Sequence, residues 1–408
     1  MKNILKAKGK KEMLKAYKYR IYPNNEQKEF LAKTFGCTRF VWNKMLEEKL
    51  EVLKQGKKIP RITPAKYKEE FTFLKEVDSL ALANVQLQLE KAFRNHFKKP
   101  KHFGVPKFKK KKDKQSYTTN NQNGTVRIDC DKQLLFVPKL KSGIKIKLHR
   151  KFVGTIKSVT ISKTTTGNYY ASVLVETDNV QNKVKEPTSK VCGIDMGVKT
   201  FLVMYTDNGI HKIDYSKYYI KAEKRLKRLQ RRLSRKEKGS KNREKARLLL
   251  AKQHEYVKNS RLDFLHKLSK IIIDDNQVIV VEDLTIKNMY QFSNLSKRIQ
   301  DSAFGTFLRF LEYKAEHYGR TLIFADRWYP SSKTCSVCGY YYKEMDLSIR
   351  EWECPECGTL HDRDENASKN LYKIGVIHLM SGRVGTIRTQ ACGETNSLCE
   401  AGSSHFYK

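Results

Sequence analysis

The sequence has no apolar run approaching the ~20 residues that a membrane-spanning helix needs. No hydrophobic segment of signal-peptide type follows the basic start, Met1–Lys15. The chain therefore does not read as a membrane-spanning or secreted protein. Acid is scarce: 43 Asp and Glu stand against 82 Lys and Arg, a net charge of +39. That imbalance excludes a surface of evenly paired charges. A disulfide framework is missing too. Five of the nine cysteines (Cys37, Cys130, Cys192, Cys392 and Cys399) are scattered and odd in number, which suits a reducing, cytoplasmic setting.

What is present begins with ordinary cores: 39% of the residues are hydrophobic, and the length allows two or three domains. A positive field of this size is useful against a polyanion, nucleic acid first and an anionic membrane as the competing reading. The charge is clustered. Lys98–Lys114 is the densest basic run, interrupted by Phe103, Pro106 and Phe108. Glycine and proline rule out a regular helix there. The run reads as a loop in which Lys107, Lys109, Lys110 and Lys111 grip phosphates while the phenylalanines stack on bases or brace the loop. A second basic stretch, Lys221–Arg235, has Leu226, Leu229 and Leu233 on one stripe, leaving Arg225, Arg228, Arg231 and Arg232 for a backbone. Asn242–Asp274 returns as a long helix after Gly239-Ser240, so the pair is predicted to form an αα-hairpin.

Around these clusters the chain divides in order. Residues 1–16 form a Lys-rich lead-in. Tyr17–Tyr22 alternates as a strand ended by Pro23, and Asn24 with Gln27 predicts a capping box. One helix is expected to stop at Gly36, a second to run from Phe40 to about Lys54, and a third to cover Val77–Lys98 with Leu82, Val85, Leu89 and Phe93 as core. Five short alternating runs between Thr125 and Glu176 suggest a small β-barrel or sandwich. The strand at Tyr17 can join it, with the helices as an insertion. Thr177–Lys190 reads as a polar linker, Asn288–Leu295 as an irregular loop, Ser302–His317 as one amphipathic helix, and the residues after about Met380 as a loosely ordered tail.

Three acids stand in matching contexts. Val191–Tyr205 reads as a strand, a tight turn and a second strand, with Asp195 at the end of the first, between Gly193 and Gly197. The β-branched run before Glu282 reads as a buried strand that also ends in an acid. His361–Leu371 opens a helix, with Asp362 as a plausible N-cap and Asp364 in the first turn. Separately each acid could cap a turn. Together they suit a clamp for Mg²⁺, which prefers oxygen ligands. Two such ions roughly 3.5–4 Å apart serve phosphodiester cleavage.

Cys335-Ser-Val-Cys338 and Cys354-Pro-Glu-Cys357 are separated by fifteen residues, and Gly339 and Gly358 follow the pairs. Cys335, Cys338, Cys354 and Cys357 thus have the spacing of a four-thiolate zinc ribbon. Four protein ligands close the site, so its zinc would be structural.

These stretches together resemble one family. Tyr19-Arg-Ile-Tyr-Pro, Phe103-Gly-Val-Pro-Lys-Phe, Gly193-Ile-Asp-Met-Gly-Val-Lys, Val281-Glu-Asp-Leu, Leu311-Glu-Tyr-Lys-Ala, the CxxC pairs and His361-Asp-Arg-Asp-Glu-Asn-Ala are similar to the transposon-encoded TnpB (OrfB) family, relatives of the type V CRISPR effectors. The match runs from about residue 17 to about 375. One departure is Phe304, where the family carries Trp. The resemblance implies an α+β multidomain protein. Its N-terminal lobe, residues 17–180, would be a wedge β-barrel with a helical recognition insert at about 24–103. An RNase H-like (RuvC) α/β domain, 181–380, would hold an inserted zinc ribbon at about 330–360, with 381–408 as the tail. It also implies a prokaryotic, nucleoid-associated RNA-guided DNA endonuclease with a transposon-derived guide RNA and double-stranded target DNA as partners; the oligomeric state is left open, with a monomer favoured. Carried over by motif, the nuclease acids and Mg²⁺ ligands are Asp195, Glu282 and Asp364, with Asp362 the rival for third place. A guided DNA-binding regulator that does not cut, and a transposase or its accessory, are the alternatives.

Overall fold

The computed structural model describes residues 13–177, 189–215, 217–284, 289, 296–346, 348–380 and 386–388. The lead-in before residue 13, the linker at 178–188, the loop at 288–295 apart from residue 289, and the tail apart from 386–388 lie outside the described residues. Two compact units are present, Met1–Gln181 and Asn182–Lys408.

In the first unit, strand β1 (Met13–Tyr22) lies at the centre of a seven-stranded sheet. The other strands are β2 (Gln115–Asn120), β3 (Arg127–Asp129), β4 (Leu134–Phe136), β5 (Ile144–Lys147), β6 (Thr155–Lys163) and β7 (Tyr169–Thr177), in the order β2-β6-β7-β1-β5-β4-β3. Every neighbouring pair is antiparallel. Alternation explains the face that packs: Tyr17, Tyr19 and Ile21 are buried with Val159, Ile161, Val173 and Val175. Among the described residues the barrel does not close. β2 and β3 remain as edges without pairing each other, so the sheet is a half-barrel. β1 also starts earlier than alternation predicts, because Met13 to Lys15 pair with Thr177 to Val175 of β7.

The helices are inserted after β1. Helix α1 (Asn25–Lys54) begins with the expected capping box between Asn24 and Gln27. The expected break at Gly36 does not occur. A mid-helix glycine costs about 1 kcal/mol relative to alanine, and burial of Leu31, Phe35, Val41, Met45 and Leu46 along the same helix outweighs it. A short helix α2 (Tyr67–Glu70) precedes α3 (Ser79–Lys98), whose Leu82, Val85, Leu89 and Phe93 form a core with α1. Asp78 caps α3 and also accepts from Thr119 Oγ1 on β2, tying helix to sheet.

The second unit is a six-stranded sheet: β8 (Val191–Asp195), β9 (Leu202–Thr206), β10 (Gly209–Ile213), β11 (Val278–Glu282), β12 (Thr321–Ala325) and β15 (Thr386–Arg388), ordered β10-β9-β8-β11-β12-β15. The β8-β9-β10 part is antiparallel, and β8, β11, β12 and β15 run parallel. Parallel strands buried on both faces read as continuous apolar runs, which is why β11 and β12 carry no alternation. One face packs on α5 (Lys241–Asp275) and α7 (Phe304–Tyr318), through Leu265, Leu268, Ile272, Phe304, Phe307 and Leu311. The opposite face meets α8 (Arg363–Met380) through Val191, Val278, Val280 and Leu371.

The basic helix α4 (Tyr218–Ser234) packs on α5 through Ala222, Leu226, Leu250 and Val257, which is the predicted hairpin. The single helix expected over 302–317 is instead α6 (Ser296–Ser302) and α7, parted at Ala303, whose φ is 54°. Between β12 and α8 sits a Cys-bearing insert with a two-stranded sheet, β13 (Glu351–Glu353) and β14 (Leu360–Asp362).

Candidate catalytic and metal-binding site

Register places the first two acids. Val281 of β11 is paired with Ile194 of β8, so Glu282 and Asp195 follow side by side where two adjacent parallel strands end. Side chains alternate across a strand, and Asp195 shares the face of Val191, as Glu282 shares that of Val278 and Val280. This is the face that α8 covers. Two glycines bring α8 close. A Cβ on Gly193 would lie 2.2 Å from Ser368 O and 2.3 Å from Tyr372 N, and one on Gly375 would lie 2.4 Å from Val191 Cγ1. Only hydrogen at these positions lets the helix rest on the strand ends and carry Asp364, in its first turn, to the other two acids.

Burial, then the Glu282 and Asp364 carboxylates, hold Asp195 well above the usual carboxylate range, while Arg363 and the Met196 N–H oppose the shift. Burial and Asp364 likewise raise Glu282, against the Ser331 hydroxyl and Arg363. All three residues keep some exposed surface, so the cluster is open on one side. Asp364 also faces Arg350 of the insert at 3.4 Å. Among the described residues, the three acids are not drawn so tightly that their oxygens all lie within 4.8 Å; that closeness belongs to the four cysteines.

Asp362 has a different occupation. It accepts from the N–H groups of Asp364 (3.0 Å) and Glu365 (3.1 Å), the N-cap role expected of it, and pairs with Lys212 at 3.2 Å. Burial would raise its carboxyl, but those hydrogen bonds and Lys212 hold it below the usual range.

Sequence reasoning missed the residues that brace the site. Ser331 Oγ donates to Glu282 Oε1. Asn366 Nδ2 donates to the carbonyl of Thr334 at 2.7 Å, its Oδ1 accepts from Ser336 N at 2.8 Å, and Asn370 Nδ2 donates to Ser331 O at 2.8 Å. Two buried asparagines thus clamp the segment leading into the first CxxC onto α8. The signal was available: Asp362, Asn366 and Asn370 recur every four residues, a polar stripe on a face that also packs. Gly375 and Ser331 had no such signal.

The four cysteines meet. Cys335 Sγ lies 3.7 Å from Cys357 Sγ, and Cys338 Sγ 3.5 Å from Cys354 Sγ. Zn–S bonds of 2.3 Å in a tetrahedron put sulfurs about 3.8 Å apart, so the donor set fits zinc in identity and spacing. Gly339 and Gly358 adopt φ of 84° and 67°, and their N–H groups return to Cys335 O and Cys354 O, closing each knuckle. His361 Nε2 lies 3.0 Å from Cys335 Sγ, and its ring packs on Trp352 beneath the cluster.

The predicted nucleic-acid contacts separate by role. Lys107 and Lys109 belong to a loop pinned on α1. Trp42 Nε1 donates to Lys107 O at 3.0 Å, Asn43 exchanges hydrogen bonds with the Lys109 backbone, and Lys109 Nζ sits 3.7 Å from the Trp42 ring centroid. Burial lowers the Lys109 ammonium from its ordinary value, so Lys109 is in part a brace. Lys107, Lys110 and Lys111 are exposed, as are Phe103 and Phe108. In the second unit Arg225, Arg228, Arg231 and Arg232 are all exposed. The last three line a groove of about 690 Å³ with Lys224 and Arg235.

Comparison with known proteins adds three matches to described families. Residues 172–293 match OrfB_IS605, described as "Probable transposase", residues 304–371 match a "Cas12f1-like, TNB domain", and residues 13–58 match a "Helix-turn-helix domain". In this chain the last span is a strand and one unbroken helix. A Streptomyces pristinaespiralis protein named "Putative RNA-guided DNA endonuclease" is 35% identical over 374 residues, covering 90% of each chain. An Escherichia coli protein of the same name, InsQ, is 29% identical, covering 91% of this chain and 94% of its own. Among solved structures, a Cas12f1 protein in an sgRNA–target DNA complex shares the fold with a TM-score of 0.58 at 15% identity, covering 88% of this chain and 99% of that one. Among the described residues no helix is long and apolar enough to cross a membrane.

Proposed function

Because the chain belongs to the OrfB_IS605 (TnpB) family, we propose that it is a transposon-encoded, RNA-guided DNA endonuclease whose cutting site is the cluster of Asp195, Glu282 and Asp364. The observation that carries the site is geometric: Asp195 and Glu282 end adjacent parallel strands, and the side-chain-free contact at Gly193 lets α8, which bears Asp364 in its first turn, rest on those strands. Neighbouring carboxylates whose charge is only partly offset make a site that a hard cation would relieve. Bound there, Mg²⁺ would supply activation of a water and stabilisation of the leaving oxygen in phosphodiester hydrolysis.

The chain's own residues then have distinct tasks. Asp195 and Glu282 offer oxygens from rigid strand ends. Asp364 closes the set from α8. Ser331 orients Glu282, and Arg363 offsets part of the charge. Asp362 holds the helix start in place. The sheet order and the flanking helices support an RNase H-like (RuvC) reading of the second unit, and the four thiolates a zinc ribbon that holds the insert's shape. The half-barrel of the first unit, with its helical insert, is the wedge and recognition lobe. Guide pairing would read sequence, while the basic loops and helices hold backbones and a short flanking duplex motif is read by protein.

The test separates binding from cutting. Asp195→Ala, purified with its RNA, should bind matched DNA with undiminished affinity and leave it uncut. Full cleavage by that variant would remove Asp195 from the mechanism.

A further inference from the structure

The most exposed large apolar side chain among the described residues is Trp328, at 79%. The other two tryptophans, Trp42 and Trp352, are 8% and 5% exposed. A lone exposed apolar residue is unremarkable by itself. The position of this one is not. It rides on the turn that follows β12, the strand next to the one ending in Glu282. Ala325 is paired with Glu282, and Asp283 N donates to Ala325 O at 3.2 Å. On the other side Ser331 Oγ reaches Glu282 itself. Both ends of the turn are therefore tied to one acid of the cluster. Three residues span at most about 11 Å, which bounds the distance from the Trp328 backbone to either tie.

The turn is also stiff. Trp328 N donates to Asp326 Oδ1 at 2.7 Å, Tyr329 N to Asp326 O at 3.1 Å, and Ser331 N to Tyr329 O at 2.8 Å. Arg327 pairs with Asp283 at 3.7 Å. The indole, by contrast, makes no ring contact with any described residue. A rigid backbone presenting an uncovered aromatic face beside a cation, at the rim of a carboxylate cluster, matches what an unpaired nucleotide needs: a surface for its base and a positive charge for its phosphate.

We propose that Trp328 is a positioning residue, on which an unpaired base of the strand being cut stacks, a few nucleotides from the phosphate held at Asp195, Glu282 and Asp364. The inference rests on the nuclease reading of that cluster. It also implies that the strand is unstacked where it meets Trp328, since a base inside a duplex has both faces covered by its neighbours.

The experiment uses the full chain with its copurified RNA and a short oligodeoxythymidylate, without divalent metal so that nothing is cut. Stacking should quench tryptophan emission in the wild type, and Trp328→Phe should lack that component while still binding. With Mg²⁺ restored, Trp328→Ala should raise KM for the cut strand roughly 5- to 100-fold with a smaller change in kcat, and Trp328→Phe should recover most of the loss. Equal quenching in wild type and Trp328→Phe would overturn the proposal, as would an unchanged KM in Trp328→Ala. The quenching arm needs no chemistry. It therefore decides the stacking even if the cluster does not cut, an outcome that would count against the nuclease reading instead. Protection of Trp328 from acrylamide before oligonucleotide is added would mean that another part of the chain covers it, and would also overturn the proposal.

Discussion

Asp362 and Asp364 stand two residues apart and do opposite work. One carboxylate is spent on the helix N-terminus and Lys212, and its proton is lost more easily than usual. The other acts on Asp195 and Glu282. Substitution should separate them. Asp364→Ala is expected to abolish cleavage in a Mg²⁺-dependent assay. Asp362→Ala should lose about 1 kcal/mol of stability, the worth of an N-cap, and keep measurable cutting. Cleavage that survived in Asp364→Ala and vanished in a folded Asp362→Ala would reverse the assignment. The sequence already marks Asp362 as an N-cap, and the family motif favours Asp364 with Asp362 as its rival. Three-dimensional geometry adds that Asp362 Oδ1 already accepts from two backbone N–H groups.

At the scale of elements, α8 works because two positions on its interface with the sheet have no side chain. Gly193→Ala would drive a methyl into the backbone of Ser368 and Tyr372, which cannot move without moving the helix. Overpacking of this kind costs about 1–3 kcal/mol, and here it would also carry Asp364 away from its partners. Gly375→Ala meets valine methyls, of Val191, Val280 and Val278, rather than backbone, so it should cost less. Thermal unfolding and cleavage of the two variants check the order: Gly193→Ala should lose more of both. Much at this scale was legible. The strands ending in Asp195 and Glu282, the capping box at Asn24, the α4–α5 hairpin and the four-cysteine cluster follow from local pattern and spacing. The unbroken run through Gly36, the kink at Ala303 and the early start of β1 were not legible. Each is decided by what the segment packs or pairs with, and local preference loses to that contact. The half-barrel's open edges were hidden for the same reason, because alternation marks strands without stating which neighbours they find.

For the whole molecule the governing quantity is charge. A net +39 makes affinity for any nucleic acid depend steeply on salt, by roughly 0.9 in log–log slope for each phosphate neutralised on duplex DNA. Replacing Arg228, Arg231 and Arg232 together by alanine should lower the slope by about 2–3, and do so equally for matched and unmatched sequences, because backbone contacts carry no sequence information. A loss confined to matched DNA would show instead that this groove reads bases. Guided recognition by the basic surfaces and cutting by one acid cluster come together in a single cleavage assay: the protein is copurified with RNA from the right end of its own transposon, and the complex is challenged with plasmids that carry the guide-matched target beside randomised flanks. One flank should be depleted, the depletion should need Mg²⁺, and Asp195→Ala should abolish it. Bound RNA with every flank left intact in Mg²⁺ would rule out cutting by this cluster.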